Sequence, residues 1–241
     1  APCTSVVIVS ALWVLEDWMT APAVQPVPAV PQATRVRVFV DYWNFQLALN
    51  EREAAARHLA DLRFGVDWKQ LGPWLAKKAC GVVGVASHSF EGVIIYTSYN
   101  PATAEGKKFK NWAMTWLDRQ PGVSVHCRER KPRSAFKCPA CHQPITVCPH
   151  GGCGKAIVST IEKGVDTLIA TDMIRLAWEG AYDLGVLASM DSDLVPAVEF
   201  LALRGRKIIQ AGFPPKGTDL ATACWASFDV FADRKEIERT G

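Results

Sequence analysis

The stretch Leu184-Gly185-Val186-Leu187-Ala188-Ser189-Met190-Asp191-Ser192-Asp193-Leu194-Val195-Pro196-Ala197-Val198 sets an apolar run against two acids and then a second apolar segment. Leu184 to Ser189 shows no polar alternation, which is the pattern of a strand buried on both faces. Val195 to Leu203 reads as a helix, so Asp191 and Asp193 fall on the turn between strand and helix. The same grammar extends outward. Val36 to Val40, Gly92 to Thr97, Val123 to Cys127 and Lys207 to Ala211 read as further strands. Helical periodicity runs over Phe45 to Leu62, about Glu105 to Leu117, Val165 to Trp178 and Leu220 to Ser227, and Asp67 can cap a helix carrying Leu71, Trp74 and Leu75. Apolar strands alternating with amphipathic helices predict an α/β fold, a mostly parallel sheet of about five strands covered on both faces.

In such a sheet the ligand crevice lies at the carboxyl ends of the strands, so acids at those ends are the informative residues. Asp41 ends the first strand, with Asn44 three residues later. Asp166 falls in the first turn of a helix, and Asp191 and Asp193 follow the fourth strand. Each has a purely structural use as a turn or capping residue. Converging carboxylates repel one another unless a cation sits between them, and hard cations such as Mg²⁺ or Mn²⁺ take oxygen ligands. Such an ion polarises a phosphodiester and orients water for hydrolysis. Asp172, about 240° round the helix from Asp166, is expected to face elsewhere and to act at most from behind the site. No Gly-rich dinucleotide fingerprint follows the first strand and no phosphate-loop motif occurs, which disfavours dinucleotide and nucleoside triphosphate binding.

Two segments, Lys163-Gly164-Val165-Asp166-Thr167-Leu168-Ile169-Ala170-Thr171-Asp172-Met173-Ile174 and Tyr182 to Val198, together with Val38-Phe39-Val40-Asp41-Tyr42-Trp43-Asn44, resemble the NYN domains, PIN-like nucleases of the LabA type. The resemblance runs from about Arg35 to Ala232. It implies a Rossmann-like three-layer sandwich, metal-dependent cleavage of RNA, and a site built from Asp41, Asp166, Asp191 and Asp193. The expected division of labour has Asp41, Asp191 and one of Asp166 or Asp193 on the metal and the remaining acid on the water. Asn44 would position a ligand or the scissile phosphate. Tyr42 and Met190 stand where the family usually carries glycine, and their bulk points to an alternative, a nucleic-acid-binding adaptor that does not cut. A nuclease acting on DNA is a further alternative.

Cys138-Pro139-Ala140-Cys141 and Cys148-Pro149-His150-Gly151-Gly152-Cys153 supply two close thiolate pairs, the spacing of a structural Zn²⁺ site. Four cysteine ligands leave no open position for catalysis. His142 and His150 are the alternatives to one cysteine, and Cys3, Cys80, Cys127 and Cys224 read as unpaired, mostly buried thiols. The cluster lies between the third strand and the helix of Asp166, so it is an insertion, zinc-ribbon-like, over 134–156.

The sequence has 241 residues, 49% hydrophobic, with 27 basic and 24 acidic side chains. That apolar share excludes general disorder. The longest apolar run, Ser5 to Leu15, is far short of the roughly 20 residues that span a bilayer, so no membrane association is expected. Lys107 to Lys155 holds ten basic and two acidic residues, whereas the remainder is net acidic. Lys107, Lys108, Lys110, Arg128, Arg130, Lys131, Arg133 and Lys137 are therefore the candidate contacts to RNA, expected to be single-stranded. Trp112 and Trp116 read as core more readily than as base-stacking groups. Residues 1–33 read as an appendage with a Pro/Ala linker, 34–232 as the nuclease-like domain and 233–241 as a tail. The lack of Lys or Arg before Arg35 argues against a secretory leader, giving a cytoplasmic expectation. Nothing in the sequence indicates a homodimer, although one is compatible with it.

Overall fold

In the computed structural model, which describes residues 32–240 apart from 134, 149, 151, 152, 158 and 159, the first β-branched run forms strand β1 (Thr34–Asp41). The expected strand at Val6 to Val9, the helix at Ala11 to Met19 and the Pro/Ala linker lie outside the described residues, as do Cys3, Gly151 and Gly152. After β1 come α1 (Tyr42–Ala56), α2 (Trp68–Val83), β2 (His88–Tyr99), α3 (Ala104–Trp112) continued by a π turn (Ala113–Leu117), and β3 (Val123–Glu129). A loop region follows with four two-residue strands, β4 (Lys131–Pro132), β5 (Phe136–Lys137), β6 (Pro144–Ile145) and β7 (Thr160–Ile161). Beyond it lie α4 (Val165–Trp178), β8 (Leu184–Ala188), a 3₁₀ turn (Ser192–Leu194), α5 (Val195–Leu203), β9 (Lys207–Gly212), α6 (Thr218–Ala223) and β10 (Ala226–Asp229).

Six strands form one sheet in the order β10-β9-β8-β1-β2-β3, all neighbours parallel. The chain walks outward from β1 to β3, returns beside β1 as β8, and walks outward the other way. The strand order therefore reverses between β1 and β8, and their carboxyl ends frame the crevice where open α/β sheets bind ligands. Along β1 the side chains alternate. Val36, Val38 and Val40 pack with Phe45, Leu71 and Leu75 of α1 and α2. Phe39 packs on the opposite face with Ile169, Met173 and Leu187. This makes the three layers.

Two elements differ from the sequence expectation. The helix expected to reach Leu62 stops at Ala56, and Leu59 is left exposed. The chain turns back because Phe64 is buried, its N–H donated to Asn50 Oδ1 at 2.9 Å and its carbonyl accepting Gln46 Nε2 at 3.0 Å. The helix expected over Leu220 to Ser227 ends at Ala223, and Ala226–Asp229 is the sixth strand, parallel to β9. Four half-covered residues at a sheet edge carry too few repeats to distinguish strand from helix. Residues 233–240, read in the sequence as a tail, pack back on α1 and α2. Ile237 is buried, and its carbonyl accepts the Asp67 N–H at 2.8 Å. Trp74 Nε1 donates to Glu236 at 2.8 Å. No helix among the described residues is long and apolar enough to cross a membrane.

Candidate active site

Asp41 closes β1 and opens α1. Its carboxylate accepts the Asn44 N–H at 3.3 Å, so it caps the helix while lying at the mouth of the β1/β8 crevice. On the other side of that crevice, Asp191 Oδ1 accepts the Asp193 N–H at 2.9 Å and caps the 3₁₀ turn. The turn is braced from several directions. Asn44 Oδ1 accepts the Met190 N–H at 2.9 Å, and Ser189 Oγ accepts the Asp191 N–H at 3.1 Å. The buried Gln210 amide donates to the carbonyls of Ser189 and Gly217 at 3.1 and 3.2 Å. Gly217, at φ +72°, approaches Met190 so closely that a Cβ would sit 2.8 Å from the Met190 Cα. Only glycine fits there. Asp166 enters from α4, one residue into the helix after Gly164 at φ +77°, where the helix dipole favours a carboxylate.

These placements converge. Asp166, Asp191 and Asp193 each present a carboxylate oxygen within 4.8 Å of the others. Asp41 is 4% exposed, and its carboxyl is pushed up to about 7. Burial is the main cause; the charges of Glu162, Asp166 and Asp191 add to it, and the Asn44 amide opposes it. Asp166 is also raised, by burial first and then by Asp191, Glu162 and Asp193. Among the described residues none of the four aspartates pairs with a Lys, Arg or His. A crowd of hard oxygen donors with no internal cation fits Mg²⁺ or Mn²⁺ and suits softer metals poorly.

A cation held by Asp41 would compete with its proton. Mn²⁺ affinity should therefore rise about tenfold between pH 6 and pH 8 and level off above, as the raised carboxyl loses its proton. Calorimetric titration with Mn²⁺ across that range checks this, and a flat profile would remove Asp41 from the ligand set.

A fifth carboxylate, Glu162, carries no motif in the sequence that would single it out. It follows β7, accepts a hydrogen bond from the buried Ser98 hydroxyl, and lies 3.9 Å from the Arg130 guanidinium. Arg130 Nε donates to Ser98 Oγ at 2.8 Å, and its guanidinium stacks over Trp43 at 5.2 Å. Trp43 Nε1 in turn donates to the Ser98 carbonyl at 2.7 Å. β4 pairs antiparallel with β7, so the stem of the cysteine-bearing loop brings Arg130 and Glu162 to the acids. The local signal is no more than an acid four residues ahead of Asp166; the pairing that places it is long-range.

The NYN domain model matches residues 35–230, a span that holds all four aspartates. The chain belongs to the NYN family. The family lies in the PIN-like nuclease superfamily. No curated protein matches the sequence. Among solved structures, AraP, an arabinose binding protein from Geobacillus stearothermophilus, aligns at a TM-score of 0.26 and 10% identity, over 82% of this chain and 81% of that one. A likeness that distant carries no argument.

Within the NYN core, the other expected residues sit in defined contacts. Asn44 holds the Met190 amide, so it shapes the Asp191 turn from α1. Tyr42 does not crowd the acids. It is 1% exposed and stacks on Trp68 at 4.6 Å, inside the layer formed by α1 to α3. Met190 packs against the same core. The Tyr42 bulk that suggested an occluded site is thus directed inward, because the residue after a strand-end cap starts the helix and turns its side chain to the buried face. Asp172 accepts the Tyr96 hydroxyl and Arg175 at 3.1 Å each, within a network apart from the acids. Trp116, expected in the core, is 39% exposed and stacked on Trp112 at 5.8 Å.

The remaining basic candidates occupy varied settings. Lys110 donates to the Tyr99 hydroxyl at 3.2 Å, and Arg133 lies over Phe136 at 4.3 Å. Lys107, Lys108, Arg128, Lys131 and Lys137 are exposed. In the loop, the Cys138 thiol is held below its usual range by the amides of Cys141 and Ala140 and by the Cys141 side chain. His142 N–H returns to the Cys138 carbonyl at 2.8 Å, and Cys148 N–H donates to the Lys155 carbonyl at 2.9 Å. A turn that aims amides at a sulfur stabilises the thiolate, the form that binds metal. Cys80 and Cys224 are buried and Cys127 is half-buried, all three as free thiols.

Proposed function

We propose that this NYN protein is a divalent-metal-dependent endoribonuclease that hydrolyses single-stranded RNA. The observation that carries the reading is the meeting of Asp166, Asp191 and Asp193 within 4.8 Å at the reversal point of the sheet, beside the buried Asp41. Asp166, Asp191 and Asp193 would hold Mg²⁺ or Mn²⁺, with Asp41 on the same ion or on the water. When bound, the ion polarises the phosphodiester and lowers the pKa of the attacking water. The chain itself supplies position and charge. Asn44, Ser189 and Gln210 fix the Asp191 turn, and Arg130, stacked on Trp43, presents a guanidinium for a phosphate oxygen. Labelled single-stranded RNA incubated with Mn²⁺, and in parallel with EDTA, tests the reading; a matching DNA strand separates the two substrates. Intact RNA in Mn²⁺ sinks it.

The basic stretch that leads into the loop would grip the backbone. Changing Arg128, Arg130, Lys131 and Arg133 to Ala together should weaken RNA binding and flatten its dependence on salt by about 0.7 log units for each phosphate that is no longer neutralised. Unchanged affinity and slope would reject that role. Cys138, Cys141, Cys148 and Cys153 would hold Zn²⁺ in a structural site, which suits a cytoplasmic setting where thiols stay reduced. The purified protein is expected to carry about one zinc per chain, and Cys141→Ser to lose it. Metal analysis by plasma mass spectrometry decides this, with a zinc-free native protein as the adverse result.

A further inference from the structure

On the α1–α3 face an open cleft of about 530 Å³ is lined by Trp68, Phe109 and Trp112 together with Arg63, Lys108 and Arg239. A second cleft of about 320 Å³ shares Trp68, Trp112 and Arg239 with it and adds Trp116. Both volumes fall in the range of small-ligand sites, roughly 300–1,000 Å³. Trp112 and Trp116 stack on each other, and Lys69 lies 5.3 Å over the Trp116 ring.

The charges are one-sided. Glu105 is the acid lining the larger cleft, and Asp67 in the smaller one is engaged in capping the amides of Lys69 and Gln70. Among the described residues Arg63, Lys108 and Arg239 form no ion pair. The buried Tyr42 hydroxyl, packed against these rings, is turned toward Arg63. The cleft wall continues to Trp43. Phe109 lies 5.0 Å from Trp43, the ring that carries Arg130.

We propose that this cleft is a stacking subsite for bases of single-stranded RNA, with Arg63, Lys108 and Arg239 on the phosphates. The inference rests on the ribonuclease reading for its choice of ligand. Every base offers a π face, so a row of aromatic rings flanked by cations binds single strands without reading their sequence. A protein segment would meet the same rings, but three unpaired cations favour a polyanion.

Anisotropy of a fluorescein-labelled oligouridylate, titrated with the full chain in EDTA, tests it. Trp116→Ala should weaken binding roughly tenfold and Trp116→Phe should retain most of it. Arg239→Ala should weaken binding and reduce the salt slope by about 0.7. The partial exposure of Trp116 lets circular dichroism verify that the Ala variant is folded. Unchanged affinity in both Ala variants overturns the inference and leaves the cleft to a protein partner. Since binding is read without metal, a wild type that fails to cleave would sink the nuclease reading and leave this result standing.

Discussion

Asp191→Asn is expected to reduce Mn²⁺-dependent RNA cleavage by about a thousandfold, some 4 kcal/mol of transition-state stabilisation. The substitution separates chemistry from structure. An amide oxygen can still accept the Asp193 N–H that caps the 3₁₀ turn, and the Ser189 and Asn44 hydrogen bonds to this turn involve backbone groups that the change leaves alone. What disappears is a negative charge that raises the carboxyls of Asp41 and Asp166. Metal affinity should fall with activity, while the metal-free melting temperature should hold or rise, because one repulsive partner has gone. Single-turnover cleavage and thermal melts in EDTA read the two effects independently. An active Asp191→Asn protein would count against the whole assignment.

Arg234→Met is expected to cost about 3 kcal/mol of folding stability, the low end for removing one partner of a buried ion pair. Glu53 of α1 is buried between Arg57, at 2.6 Å, and Arg234 of the final 3₁₀ turn. Burial alone would raise its carboxyl, but the hydrogen bonds and charges of Arg234 and Arg57 outweigh it and hold the group below its usual 4.5. The sign of the pH dependence follows. The stabilisation is fully present above 4.5 and is lost as pH falls through the depressed folded value, so wild type and variant should converge in strong acid. Urea denaturation across the acid range measures the gap. A variant as stable as wild type at neutral pH would mean that the Glu53–Arg234 pair contributes nothing to the fold.

These two cases show which features local sequence carries. Strand-end acids were legible because an apolar run followed at once by Asp is a short-range pattern, and so were Asp67 and the helix it caps. Glu162 and Arg130 were not legible as a pair, since they lie far apart in the chain and only the β4/β7 pairing brings them together. Tyr42 misled for a related reason. Its neighbour Asp41 faces the site, but which way the next side chain turns depends on the Trp68 and Phe109 rings it packs against.

The order of residues was sufficient to determine alternating strands and helices, four aspartates at strand or helix ends, the paired cysteines and the concentration of basic charge. All of these reside in neighbours a few positions apart, where propensity and periodicity act. Folding decided the sixth strand, the strand order that puts β8 beside β1, the closure of three carboxylates to within 4.8 Å, and the aromatic cleft of the α1–α3 layer. Those depend on packing between segments remote in the chain, and a side chain's direction and charge environment exist only once that packing has formed.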